Sequence, residues 1–102
     1  MKILIIEDEY SLADAIAETL QKENYTTKIV TNGEEGEDEA LTGIYDLILL
    51  DVMLPKKDGF EILRNLKNEK IGAPIIMITA KSELVDKLQF SLRKSSVNGK
   101  NS

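Results

Sequence analysis

Two apolar runs of this chain each end in acidic residues. The first covers residues 3–6 and is followed at once by Glu7 and Asp8, and the second covers residues 47–50 and is followed by Asp51. Each acid alone would suit the polar end of a strand, but two such ends lying side by side would gather three mutually repelling carboxylates. A divalent cation that prefers oxygen ligands would neutralise them, and Mg²⁺ held by one or two carboxylates and water fits. The pattern therefore predicts a magnesium site.

Composition narrows the chemistry of such a site. The chain has 102 residues, enough for one domain, and it contains neither cysteine nor histidine. Disulfides, thiolate chemistry and zinc–cysteine sites are thereby excluded, and the commonest neutral-pH base is missing. Any bound metal must therefore be held by oxygen.

The same composition bears on location and partners. The chain has no apolar run long enough to span a membrane, and its start, MKILII, lacks the shape of a signal peptide. The net charge is −5, and no dense basic patch with interleaved aromatic residues is present. We therefore expect a cytoplasmic protein that binds no membrane and no nucleic acid directly.

The sequence pattern predicts strands that alternate with helices, and these elements would position the carboxylates. Apolar runs predict buried strands at residues 2–6, 46–50 and 74–79, and a more polar strand near a sheet edge at residues 25–31. Residues at helical spacing predict helices that begin near Ser11, Glu34, Phe60 and Ser82. Such alternation is typical of parallel βαβ units, whose sheets bind ligands outside the carboxyl ends of the strands, where strand order reverses.

Two helices carry local predictions of their own. Ser11 and Asp14 have the spacing of a capping box at the start of the first helix, and Asn24 can end that helix. Gly36 and Glu37 make the second helix a poor one, because Glu37 takes a position that suits an apolar residue. These features predict a capped first helix and a weakly specified second one.

Three motifs together resemble a known family. The segments ILIIEDE, LILLDVMLPKKDG and PIIMITAKS, in that order and spacing, resemble the receiver domain of bacterial two-component response regulators. More narrowly, they are similar to receivers of the winged-helix (OmpR/PhoB-like) transcription factors. The resemblance covers about residues 1–88. It implies an α/β, flavodoxin-like open parallel sheet in the order 2-1-3-4 for the strands predicted here.

The resemblance implies a role for each candidate site residue. Asp51 matches the phosphoacceptor, and Asp8 matches the carboxylate that binds Mg²⁺ directly, with Glu7 assisting. The backbone carbonyl of Met53 matches the third protein ligand of the metal. Thr79 matches the switch hydroxyl that would bond a phosphoryl oxygen.

The resemblance also implies roles for the loop after Asp51 and for the first helix. Gly59 is expected to supply an unusual backbone conformation in that loop, and Ala80 to keep the pocket open. A sensor histidine kinase is the expected partner. Among the candidate contact residues, Ile16 is expected to pack in the core, and the two loop lysines are expected to be solvated and not to contact the partner. Candidates for the kinase-facing surface are Leu12, Ala13, Ile16, Pro55, Lys56 and Lys57.

The function implied is phosphoacceptance in a phosphorelay. A carboxylate can attack phosphorus and form an aspartyl phosphate without a base, so the domain would take a phosphoryl group without being a turnover enzyme. An aspartate-nucleophile phosphatase would need a second acid where Met53 stands. A further alternative is a receiver that docks a kinase, or associates with itself, without taking phosphate.

The chain departs from the family pattern after the fourth predicted helix. The family continues into a fifth strand with a Lys-Pro pair and a fifth helix, whereas this chain has no proline beyond Pro74. We expect a truncated receiver over residues 1–93 and a disordered tail over residues 94–102. Loss of the lysine would impair phosphorylation by about a hundredfold. The fourth strand would become an apolar edge, so we expect self-association through it.

Overall fold

Within residues 1–78 the sheet has four parallel strands, and their order is the one predicted. The computed structural model describes residues 1–78, and the strands lie in the order β2-β1-β3-β4 with every neighbouring pair parallel. The elements are β1 (Lys2–Ile6), α1 (Tyr10–Gln21), β2 (Thr26–Val30), α2 (Gly33–Ala40), β3 (Leu47–Asp51), α3 (Gly59–Asn68) and β4 (Ile75–Ile78). The flavodoxin-like α/β fold predicted from the sequence is confirmed.

The central strands are apolar along their length because helices cover both faces of the sheet. Side chains of a strand alternate between faces, so one strand feeds two cores. One core packs β1 and β3 against α1 and includes Ile3, Ile5, Ala13, Ile16, Leu20 and Leu49. The other packs the same strands against α2 and α3 and includes Leu4, Ile6, Ala40, Ile48, Leu50, Ile62 and Leu66.

The ends of α1 match one sequence prediction and contradict another. The helix begins at Tyr10 with Glu9 as its N-cap and no side-chain cap, so the capping box at Ser11 is wrong. The reason lies upstream, where the Glu7 carboxylate accepts a hydrogen bond from the Glu9 amide at 2.9 Å and turns the chain early. Asn24 follows the helix in the left-handed region, with φ of 67°, and ends it as predicted.

Several sequence predictions fall on residues 79–102, which lie outside the described residues. They are the fourth helix, the missing fifth strand, the truncation and the disordered tail. Self-association through β4 depends on the same residues and stays a prediction. Within residues 1–78, no helix has the length and apolar character needed to cross a membrane.

A buried tyrosine joins α2 to the amino end of the sheet. Tyr45 is 6% exposed, and its hydroxyl donates a hydrogen bond to Oε1 of Glu39 at 2.5 Å. The Lys2 ammonium lies 5.3 Å from the centre of the ring, within the range of a cation–π contact. Burial, together with the hydrogen bond to Glu39 and the charge of Glu39, raises the pKa of Tyr45 to about 12.

This tyrosine predicts a loss of stability in strong alkali. Its ordinary pKa is 10.0 and its pKa in the folded chain is about 12, so between these values the unfolded chain binds fewer protons. The free energy of unfolding therefore falls as pH rises from 10 to 12, and the contribution of Tyr45 is complete only below pH 10. Tyr45→Phe lacks this dependence. Urea unfolding of both proteins across the range checks it, and a constant difference between them would contradict it.

Candidate functional site

The acidic residues lie where the topology reverses. β1 and β3 are neighbours in the sheet, with Ile6 paired to Leu50, although α1, β2 and α2 separate them in sequence. The chain leaves β1 toward one side of the sheet and β3 toward the other, which opens a cleft at the carboxyl ends of these strands. Glu7 and Asp8 follow β1 directly, and Asp51 is the last residue of β3.

The three carboxylates meet in this cleft. One oxygen each from Glu7, Asp8 and Asp51 lies within 4.8 Å of the others. Glu7 is fully buried and Asp51 is 2% exposed, whereas Asp8 is exposed to solvent. The Asp51 Oδ1 atom accepts a hydrogen bond from the Met53 amide at 3.2 Å, which orients its carboxylate. The structure thus brings together the three acids that the sequence predicted to converge.

The donor set suits a hard divalent cation. All three side chains offer oxygen, and two of them are withdrawn from solvent, where their mutual repulsion is least screened. Mg²⁺ is commonly bound by one or two carboxylates with water completing its shell, and the exposed Asp8 leaves the cluster open on one side. The residues present therefore fit Mg²⁺.

Asp8 and Asp51 also line a larger, mainly apolar cleft. Its volume is about 820 Å³, and it is lined by Asp8, Asp51, Val52, Met53, Leu54, Pro55, Asp58, Phe60 and Ile78. Met53 follows Asp51 by two residues and is 79% exposed, and the role of its carbonyl stays a prediction. Thr79 and Ala80, the other predicted site residues, lie outside the described residues.

Gly59 shapes the cleft in a way the sequence did not indicate. The prediction of an unusual backbone conformation is wrong, because Gly59 is the first residue of α3 and is not among the described glycines with positive φ. A Cβ atom there would lie 2.2 Å from the carbonyl oxygen of Asp51 and 2.9 Å from Cα of Val52. Glycine is needed because α3 starts in direct contact with the end of β3.

The loop from Val52 to Asp58 closes with a strained turn. The Lys57 amide donates to the carbonyl of Pro55 at 2.9 Å, and Lys56 between them has φ of 73°. An i to i+2 hydrogen bond around a central residue with such a φ defines a γ-turn of the rarer, strained kind. The positive φ expected near Gly59 is therefore found at Lys56 instead.

An ion pair ties this loop to α2. Lys57 Nζ lies 2.8 Å from Oε2 of Glu37, and the side-chain amide of Asn65 on α3 donates to Oε1 of Glu37 at 2.8 Å. Burial alone would raise the pKa of Glu37, but these hydrogen bonds and the Lys57 charge hold the pKa below its ordinary value. The same hydrogen bond raises the pKa of Lys57.

This ion pair was not expected from the sequence. Glu37 was interpreted as an unfavourable residue in α2, and Lys57 was predicted to be solvated, which is wrong. Of the proposed kinase-facing residues on α1, Ile16 is fully buried, as its core assignment predicted. Ala13 is also fully buried, which removes it from any docking surface, whereas Pro55 and Lys56 are exposed.

The fold and the cleft together define a class of protein. It is a doubly wound α/β domain with a cluster of carboxylates at the point where the strand order reverses. The response regulator receiver domain family matches residues 3–94 of the chain. This chain belongs to that family.

Similar proteins agree with this assignment. The response regulator ArlR of Staphylococcus epidermidis is 51% identical over 86 residues, which make up 84% of this chain and 39% of ArlR. A receiver domain of a sensor histidine kinase from Pseudomonas aeruginosa, solved with a magnesium ion coordinated in its active-site cleft, is 31% identical with a TM-score of 0.73. That match covers 79% of this chain and 68% of the solved one.

A third match comes from a complex of two proteins. The structure of histidine kinase ThkA with the response regulator TrrA matches with 35% identity and a TM-score of 0.71, covering 78% of this chain and 68% of that one. The chain spans about two fifths of the length of the curated relatives it matches. The similarity therefore concerns the receiver domain.

Proposed function

We propose that this chain is a phosphoacceptor signalling module of a two-component system. Asp51 accepts the phosphoryl group, and Mg²⁺ is held by Glu7, Asp8, Asp51 and the backbone carbonyl of Met53. The observation that carries the proposal is the meeting of the three carboxylates within 4.8 Å at the ends of two neighbouring strands. The magnesium-bound receiver domain from Pseudomonas aeruginosa supports the choice of metal.

The chemistry needs little from the protein beyond position and charge. A carboxylate oxygen of Asp51 forms the new bond to phosphorus, and the bond to the donor's leaving group breaks and its electron pair leaves with that group. The Met53 amide, 3.2 Å from Oδ1, holds the carboxylate in one orientation. When bound, Mg²⁺ would neutralise the clustered acids and the oxygens of the transferred group. Thr79 is proposed from the sequence alone as the hydroxyl that bonds a phosphoryl oxygen.

The proposed donor is the phosphohistidine of a sensor histidine kinase or a small phospho-donor. The ThkA–TrrA complex supports a kinase partner for a regulator of this fold. Relatives that carry the names transcriptional regulatory protein DltR and CiaR support a place in transcriptional control. The cytoplasmic location and the absence of turnover activity stay predictions.

Substitution of the proposed nucleophile tests the function. The wild-type chain, incubated with a small acyl phosphate and Mg²⁺, is expected to gain the mass of one phosphoryl group, because Asp51 supplies the attacking oxygen. Asp51→Asn is expected to gain none, and the control Asp14→Asn, which alters an exposed acid on α1, is expected to behave as the wild type. Intact-protein mass spectrometry with and without a chelator measures this.

Two results would count against the proposal. A phosphoryl group on Asp51→Asn would place the acceptor elsewhere in the chain. A wild-type chain that binds Mg²⁺ but gains no mass would favour the alternative of a receiver that docks or self-associates without taking phosphate.

A further inference from the structure

The strained turn of residues 55–57 contacts the start of α2. The Gly33 amide at the start of α2 donates to the carbonyl of Pro55 at 3.1 Å, the same oxygen that closes the turn with Lys57. The helix backbone also touches the turn, because a Cβ atom on Gly33 would lie 2.3 Å from the carbonyl oxygen of Lys57. Both backbone contacts fix where α2 begins relative to the loop.

The ion pair adds the side-chain part of this attachment. Glu37 is one turn further along α2, and it receives Lys57 Nζ from the loop and the Asn65 amide from α3, each at 2.8 Å. The side chains of Lys57 and Glu37 are 23% and 13% exposed, so solvent screens the pair less than a surface ion pair. Glu37 therefore bridges the loop and α3 with a single carboxylate.

Strain in a loop persists only where the surrounding contacts fix it. A lysine with a positive φ is strained, so a released turn would relax toward ordinary φ values. Lys56, with φ of 73°, stands between the two residues that α2 holds, Pro55 and Lys57. Relaxation there would move the preceding residues of the same loop, which include Met53 beside the Asp51 carboxylate.

We propose that Glu37 and Lys57 are positioning residues, which hold the loop of residues 52–58 in the geometry that lets the acidic cluster bind its cation and accept a phosphoryl group. The inference rests on the proposed function of that cluster. It also makes α2 an energetic partner of the site, although α2 supplies none of its carboxylates.

The experiment uses two substitutions with opposite effects on charge. Glu37→Gln removes a negative charge, and by its long-range electrostatic effect alone it would weaken Mg²⁺ binding. Lys57→Met removes a positive charge, and by the same effect alone it would strengthen Mg²⁺ binding. If the pair acts by position, both variants bind Mg²⁺ about tenfold more weakly. The double variant then loses little more than either single one, because each already breaks the same contact. Calorimetric titration with Mg²⁺ measures the affinities.

Two controls and a second measurement separate position from charge and folding. Asp38→Asn removes a charge from an exposed neighbour of Glu37 and is expected to bind Mg²⁺ as the wild type does. Lys57→Arg keeps the charge and the donor and is expected to retain most of the affinity. Amide hydrogen exchange of residues 52–58 is expected to quicken in Glu37→Gln and Lys57→Met while the core of the sheet stays protected.

The outcomes distinguish this inference from the proposed function. Opposite changes in Mg²⁺ affinity for Glu37→Gln and Lys57→Met, or affinities equal to the wild type, would overturn the positioning role and leave the proposed function intact. A wild-type chain that binds no Mg²⁺ and takes no phosphoryl group would overturn both.

Discussion

Gly59→Ala is expected to destabilise the domain by about 3 kcal/mol, at the upper end of the range for overpacking. The added Cβ would lie 2.2 Å from the carbonyl oxygen of Asp51 and 2.9 Å from both Cα and the carbonyl oxygen of Val52. Backbone atoms cannot rotate aside as a flexible side chain can. Either α3 or the end of β3 must therefore move.

Each way of relieving this clash damages something else. Movement of α3 pulls Ile62 and Leu66, both fully buried, away from the core on that side of the sheet. Movement of β3 displaces Asp51 from Glu7 and Asp8. A loss of about 3 kcal/mol is a large part of the 5–15 kcal/mol that usually stabilises a folded protein. Urea unfolding followed by circular dichroism measures the change.

Gly72→Ala is the matched control for this prediction. A Cβ atom on Gly72 would meet no heavy atom within 4 Å, and its φ is not in the left-handed region. Its effect is expected to be near zero or slightly stabilising, because alanine restricts the unfolded chain. Equal stability of Gly59→Ala and Gly72→Ala would show that α3 does not need the close contact with β3.

The parallel strands could be predicted from their apolar periodicity and the acidic cluster from the acids at the strand ends, whereas the strand order was implied by the resemblance to receiver domains. Long apolar runs require burial on both faces, which implies a parallel sheet, and the carboxyl ends of parallel strands lie at one edge. The positions of Glu7, Asp8 and Asp51 relative to one another then depend only on β1 and β3 being neighbours. Errors of one or two residues in strand ends, such as the start of β3, leave that result unchanged.

The contacts around the cluster could not be predicted in the same way. Glu37 and Lys57 are 20 positions apart, and their meeting depends on the rotation of α2 about its axis and on the path of a loop. The close approach at Gly59 and the left-handed Lys56 depend on the same path. Alternating patterns describe which face of an element is buried, but they hold no information about loop geometry.

The start of α1 shows a third limit, since competing hydrogen bonds decide a helix end. Ser11 and Asp14 have the right spacing for a capping box, yet Glu7 engages the Glu9 amide and the helix begins before Ser11. Here the residue placed in the acidic cluster also sets the entry of the chain into α1. The capping-box rule therefore failed next to Glu7, a buried acid of the acidic cluster.

Addition of Mg²⁺ is expected to stabilise the wild-type chain by about 2.7 kcal/mol at a concentration one hundred times the dissociation constant. The ion is expected to bind the folded chain, where oxygens of Glu7, Asp8 and Asp51 lie within 4.8 Å of one another, because the unfolded chain has no such cluster. Asp8→Asn removes one carboxylate of the three and is expected to lose most of this gain at the same Mg²⁺ concentration. Asp8 is exposed, so the substitution leaves no buried polar group behind.

The quantity to compare is the change in the free energy of unfolding on adding Mg²⁺, measured for each variant by urea unfolding. This difference does not depend on what Asp8 contributes in the absence of the ion, because that contribution is common to both conditions. Asp14→Asn controls for the loss of one exposed negative charge, and sodium chloride of equal ionic strength controls for screening. Equal gains for the wild type and Asp8→Asn would mean that the three carboxylates do not act as one cation site, since a ligand can stabilise the folded chain only through the groups that bind it.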